Sequence, residues 1–127
     1  MRLHHVQVSC PPGAEDDARA FYAALGLIEV AKPDALAGRG GCWFRAYDGD
    51  VVTAELHVGV EQEFVPARKA HPAFEVSAVE FDAIAQRLRD AEFKVDDTER
   101  TTFAGYLRFH AHDPFGNRVE VLTPLAH

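Results

Sequence analysis

Four side chains in this 127-residue chain repeat in kind and spacing. "LHHVQVSC" puts His5 at the head of a β-prone run, and "AHPAFEV" does the same with His71. "TAEL" holds Glu55 and "RVEVL" holds Glu120, each flanked by apolar residues. Two imidazoles and two carboxylates form a mixed N/O set suited to a divalent ion of the zinc, nickel, iron, manganese or cobalt type. Such an ion, with positions left open, can polarise a carbonyl or lower the pKa of a bound water. A carboxylate outside that set, Glu55 or Glu120, could serve as a general base. His57 follows Glu55 by two residues and shares its strand face, so either one can complete the set.

The elements that must position these residues recur in order. A strand over 3–9, the helix "AEDDARAFYAALGL", a short strand "LIEVA", a loop over 33–41 and the strands "CWFRAY" and "VVTAELHVGV" make a first module, 1–60. A connector spans 61–69. A second module, 70–127, begins with "HPAFEVS" and the helix "AVEFDAIAQRLRDAEF". It continues through "KVDD" and "YLRFHAH" to "RVEVLTP". Each half reads as β-α-β-β-β. His5 and His71 are 66 residues apart, while Phe44 and Phe109, Asp48 and Asp113, and Glu55 and Glu120 are each 65 apart. A nearly fixed shift within matching element order is the mark of an internal duplication. It makes His5 and His71 equivalent, each on the first strand of its module, and Glu55 and Glu120 equivalent on the last. The fold class expected is α+β, with two tandem βαβββ modules forming curved mixed sheets in one domain.

Composition narrows the function. A formal net charge of −7 argues against nucleic acid as a partner. No apolar run reaches the ~20 residues of a membrane span, and two cysteines are too few for a disulfide framework. A cytoplasmic protein with a small-molecule partner is expected.

"HHV" near the start, "FYAALGL", "DPFGNRVEVL" and the paired modules resemble the vicinal oxygen chelate superfamily. That group includes glyoxalase I, extradiol dioxygenases and the bleomycin resistance proteins. "LHVGVEQEFVPARKAHPAF" is similar to a small bacterial glyoxalase-like subgroup. The resemblance implies metal ligands at His5, Glu55 or His57, His71 and Glu120. It also implies a homodimer with sites formed between modules, and lyase, isomerase or dioxygenase chemistry on vicinal oxygens. The alternative it carries is a metal-free protein of the bleomycin resistance type that sequesters a small molecule. Pro72 departs from the apolar residue usual after the second histidine.

Among the remaining residues, Arg108 and His110 alternate on one strand face and are candidates to contact an anionic substrate. His112 is expected on a solvated face at the turn, and His4, pointing away from His5, has a structural role. Trp43, Phe64, Phe103 and Tyr106 are expected in the core or a pocket wall. "DPFGN" is turn chemistry, and "GRGG" at 38–41 lacks the strand–turn–helix setting of a phosphate loop.

Overall fold

A computed structural model describes residues 1–126. The chain divides after Pro66 into two compact units. The first holds β1 (Val6–Cys10), α1 (Glu15–Leu25), β2 (Ile28–Val30), β3 (Cys42–Asp48) and β4 (Val51–Val60). The second holds β5 (Ala73–Glu75), α2 (Ala78–Asp90), β6 (Val95–Asp96), β7 (Tyr106–His112) and β8 (Arg118–Pro124). The sheet orders are β1-β4-β3-β2 and β5-β8-β7-β6. In each, the first strand runs parallel to the last and the other pairs are antiparallel. The α+β expectation and the βαβββ order therefore hold.

Strand alternation gives each sheet two faces. In the first unit, Phe44, Leu56 and Val58 are buried along with Phe21, Tyr22 and Leu25 of α1, and the Tyr22 and Phe44 rings lie 5.5 Å apart. The second unit repeats this with Phe81, Ile84 and Leu88 of α2 against Phe109, Val119 and Val121, and 5.1 Å separates the Phe81 and Phe109 rings. The opposite faces carry Trp43, Arg45, Glu55 and His57, and Arg108, His110, His112 and Glu120. Burying the helix-side aromatics therefore fixes which residues can gather on the other side.

Register corrects one sequence expectation. Val6 pairs with Leu56, and Phe74 with Val121. From Leu56 to Val121 the shift is 65 residues, but from Val6 to Phe74 it is 68. His5 and His71 therefore differ by two residues in strand register, and neither lies within its strand. Pro72 cannot donate to the ladder and β5 starts at Ala73, although the Pro72 carbonyl still accepts from the Glu120 N–H at 3.0 Å. A two-residue slip keeps the same face, so His71 still reaches Glu120.

Three further details depart from the sequence reading. Residues 34–39 form a 3₁₀ helix where a loop was expected, introduced by Pro33 at φ −54°. The following Gly41 has φ +81°, and a Cβ there would lie 2.1 Å from the Val58 carbonyl oxygen. Gly41 thus permits a close backbone approach. His112 is only partly exposed, with a buried Nδ1 that has no hydrogen-bond partner. Phe103 is 44% exposed, and so is neither core nor a closed wall.

The DPFGN segment folds as expected. Asp113 Oδ1 accepts from the N–H groups of Phe115 and Asn117 at 3.0 and 2.9 Å, and Oδ2 accepts from the Asn117 side-chain amide at 2.8 Å. Ser77 caps α2 by accepting from the Glu80 N–H at 3.2 Å, while its hydroxyl donates to the Glu80 carboxylate.

Both helices end alike on unlike residues. Gly26 ends α1 at φ +109°, and the Leu27 N–H reaches back to the Tyr22 carbonyl. Beyond α2, Glu92 takes φ +65°, and the Phe93 N–H reaches back to Leu88. A left-handed non-glycine residue costs about 1–2 kcal/mol, part of which glycine returns through unfolded-chain entropy. Glu92→Gly is expected to stabilise the protein by about 0.5–1 kcal/mol in urea unfolding. No change in the midpoint would contradict the left-handed assignment.

Burial lowers the pKa of His112, reinforced by the charges of Lys94 and Arg118. The unfolded state then binds the extra proton first, so stability falls as pH drops below the unfolded histidine value of about 6.5. His112→Phe should stabilise the fold by about 1 kcal/mol, because it removes an unpaired buried nitrogen. The gain should be larger at pH 5 than at pH 8. Equal gains at both values would rule out the titration.

Candidate functional site

In each unit, nitrogen-bearing side chains surround one buried glutamate on the last strand. That strand pairs on both sides, which places the glutamate mid-sheet.

In the first unit, Arg45 lies directly across the ladder from Glu55. Its Nε donates to Glu55 Oε1 at 2.7 Å, and His57 Nε2 lies 2.7 Å from Oε2. Because an ionised carboxylate only accepts, His57 Nε2 carries the proton. The His57 ring is sandwiched between two others. Trp43 stacks on it at 3.7 Å with planes 1° apart, and His5 at 4.1 Å and 18°. Burial lowers the His57 pKa, and only part of this is returned by the bond to Glu55. Burial pushes the Glu55 pKa up, but the bonds from His57 and Arg45 outweigh it and the net shift is down. Glu55 is ionised at neutral pH.

His4 joins this group, contrary to its expected structural role. Residues 1–5 precede β1, so strand alternation does not separate His4 from His5. Their Nδ1 atoms lie 2.9 Å apart, and His4 Nδ1 is 4.0 Å from Glu55 Oε2. One donor atom from each of His4, His5 and Glu55 falls within 4.8 Å of the others.

In the second unit, a single oxygen, Glu120 Oε1, receives three nitrogens. His71 Nε2 lies at 3.2 Å, and His110 Nε2 and Arg108 Nη1 each at 3.1 Å. His110 is the cross-ladder neighbour of Glu120, as Arg45 is of Glu55. His71, His110 and Glu120 make the second group with donor atoms within 4.8 Å. Burial raises the Glu120 pKa, while the His71 bond, the Arg108 charge and the His110 bond more than reverse this.

The sequence candidates thus fall into two sets. His5, Glu55 and His57 gather in one unit. His71, Arg108, His110 and Glu120 gather in the other. Arg45 and His4 were missed as site residues. The shift of 65 that links Phe44 to Phe109 also links Arg45 to His110, and that signal was available.

His71 bears on whether a cation fits here. Its Nδ1 lies 2.7 Å from the Lys69 carbonyl oxygen, which can only accept, so Nδ1 carries a proton. In the neutral ring, Nε2 then presents a lone pair to Glu120 Oε1, which also presents one. Two acceptors 3.2 Å apart repel unless a positive charge, either a proton or a metal ion, lies between them. Metal-binding histidines commonly donate their second ring N–H to a backbone carbonyl. The donor types and their spacing fit a divalent ion.

A comparison with solved structures finds a glyoxalase family protein from Bacillus anthracis with 42% identity and a TM-score of 0.81, covering 98% of this chain and 100% of that one. The lactoylglutathione lyase of Agrobacterium tumefaciens matches at 22% identity and TM-score 0.64, over 96% and 94% of the two chains. The fosfomycin resistance protein FosX of Listeria monocytogenes matches at 10% and 0.72, over 98% and 91%. These last two share the fold. A comparison with curated proteins gives no match. The model of the Glyoxalase/Bleomycin resistance protein/Dioxygenase superfamily matches residues 2–121, and with the 42% identity over nearly the whole chain this establishes that the chain belongs to that superfamily.

Proposed function

We propose that the chain is a metal-dependent enzyme of the vicinal oxygen chelate type, acting on a small substrate by lyase, isomerase or dioxygenase chemistry. The observation that carries this reading is the approach of His71 Nε2 to Glu120 Oε1 at 3.2 Å with Nδ1 already committed to a carbonyl, a pair that a proton or an ion must bridge. The names of the lactoylglutathione lyase and fosfomycin resistance relatives agree with a catalytic role.

In this reading His71 and Glu120 hold the ion in the second unit, and His110 orients the carboxylate from across the ladder. In the first unit His5 and Glu55 are the donors, with His4 beside them. His57 is a positioning residue, because its Nε2 proton is spent on Glu55. A divalent ion at such a donor set supplies a Lewis acid toward two adjacent substrate oxygens. The protein's own contribution is to hold Glu55 ionised between Arg45 and His57. A Glu55 not engaged as a donor can accept a substrate proton, with Arg45 compensating the charge that moves. The homodimer and the small-molecule partner belong to the same proposal.

A second reading has its own support. Glu55 is neutralised by Arg45 and hydrogen-bonded on both oxygens, so the first unit needs no ion to offset its burial. A metal-free protein that binds and sequesters a small molecule would show that pattern in both units.

Elemental analysis of untagged protein, purified without chelator, decides between them. A bound transition ion is expected, and it should be lost in His71→Ala and Glu120→Ala while thermal unfolding stays cooperative. His110→Ala should weaken metal binding by about 10–100-fold without abolishing it. Iron would direct substrate screening to catechols; nickel, cobalt or zinc would direct it to hemithioacetals. Wild-type protein without metal after soaking in excess ions would leave the sequestering protein as the better account.

Metal binding should also weaken as pH falls, because imidazole donors must be deprotonated. A flat profile from pH 8 to pH 5 would remove the histidines from the donor set.

A further inference from the structure

We propose that Lys94, His112 and Arg118 form a row on the site face of the second unit that binds a tetrahedral oxyanion, the phosphoryl group of a small phosphorylated compound. The row lies beside the Glu120 cluster and needs no ion there.

Register builds the row. His112 of β7 stands directly across the ladder from Arg118 of β8. Arg118 is two residues before Glu120 and His112 two after His110, so both share the face of that cluster. Such cross-strand neighbours have Cβ atoms about 4.5–5.5 Å apart. Lys94 immediately precedes β6, whose Asp96 pairs with His110. Burial lowers the His112 pKa most, and the charges of Lys94 and then Arg118 add to the shift, as they do only near the ring.

These charges are not spent elsewhere. Arg108, on the same face, lies 3.1 Å from the Glu120 carboxylate and 3.7 Å from that of Glu99. Lys94 and Arg118 make no ion pair or side-chain hydrogen bond among the described residues. The carboxylate beside them is Asp96, whose Oδ1 accepts from the Thr98 N–H at 2.9 Å. Asp113 follows His112 but is committed to its turn through both oxygens. Two cations against Asp96 leave a local positive charge in a chain whose formal net charge is −7.

His112 supplies the third donor. Its Nδ1 is buried without a hydrogen-bond partner. An orphaned buried N–H is rarer than an orphaned acceptor, so Nδ1 holds the lone pair and Nε2 the proton. An imidazole stands where an apolar ring would be more stable, and anion binding gives that nitrogen pair a use. An ammonium, a guanidinium and an imidazole N–H offer separate donors to three oxygens. That suits a phosphoryl group better than a carboxylate, which has two.

Inorganic phosphate and glycerol phosphate are the probes, titrated into the protein as purified and after chelator treatment, and followed by backbone-amide NMR. With both probes, shifts should centre on Lys94, His112 and Arg118 and survive the chelator. Acetate should bind more weakly than either. Lys94→Gln, at an exposed position, and Arg118→Gln should each weaken phosphate binding about tenfold, the worth of one charge-assisted hydrogen bond. His112→Phe should raise the thermal midpoint and yet weaken phosphate binding. A purely structural histidine predicts the first without the second. Shifts that are absent, centred elsewhere or lost with chelator, or affinities unchanged in all three variants, would overturn the inference. Acetate bound as tightly as phosphate, or glycerol phosphate excluded where phosphate binds, would overturn the assignment to a phosphorylated compound.

Discussion

A carboxylate buried in the middle of a sheet sets the terms for the rest of this molecule. β4 and β8 each pair on both sides, so the side chains of Glu55 and Glu120 cannot turn to water at an edge. Each is about 4% exposed. An unpaired charge there would cost several kcal/mol, of order the whole stability of a small domain. Everything on that face of each sheet answers to this cost. Arginines and histidines occupy the neighbouring positions because they return by hydrogen bonding and charge what burial takes away.

The two units meet the cost differently. The position across the ladder holds Arg45 in one and His110 in the other. Two residues before it stands Trp43 in one and Arg108 in the other. Two residues after the glutamate stands His57 in one and Leu122 in the other. The first unit thus gives its glutamate a permanent cation and a stacked, proton-donating imidazole, one for each oxygen. The second loads three nitrogens onto one oxygen, two of them from titratable rings. The first arrangement is closed, because each oxygen has its own fixed donor. The second also has a permanent cation, Arg108, but adds two imidazoles on the same oxygen, and a ring nitrogen with a lone pair can take an ion. Duplication supplied the same frame twice, and substitution on one sheet face gave it two electrostatic characters.

Much of this was legible in the residues because two periodicities coincide. Strand alternation put Glu55 with His57 and Arg108 with His110. The shift of 65 then tied the two last strands together, and β8 was readable to the residue. Legibility failed where no ladder enforces alternation. His4 and His5 precede β1, so their side chains are placed by each other and by the Glu55 and His57 groups beneath them. A two-residue slip between β1 and β5 was invisible to a comparison of histidines alone, since it shows only in how each first strand registers against its last strand. The left-handed Glu92 was hidden for a similar reason. Glycine announces such a position, and glutamate does not.

The slip also explains how the two histidines can share a chemistry without sharing a register. Parity along a strand decides which face a side chain serves, whereas position along it decides only how far the side chain must reach. His71 lies two residues earlier relative to β8 than His5 does relative to β4. It spans the added distance by anchoring Nδ1 on the Lys69 carbonyl and extending Nε2 toward Glu120. That anchor fixes the tautomer, and the fixed tautomer turns a lone pair toward a carboxylate. The anchor on the Lys69 carbonyl therefore ends in a nitrogen and a carboxylate oxygen that only a positive charge, a proton or an ion, can hold together.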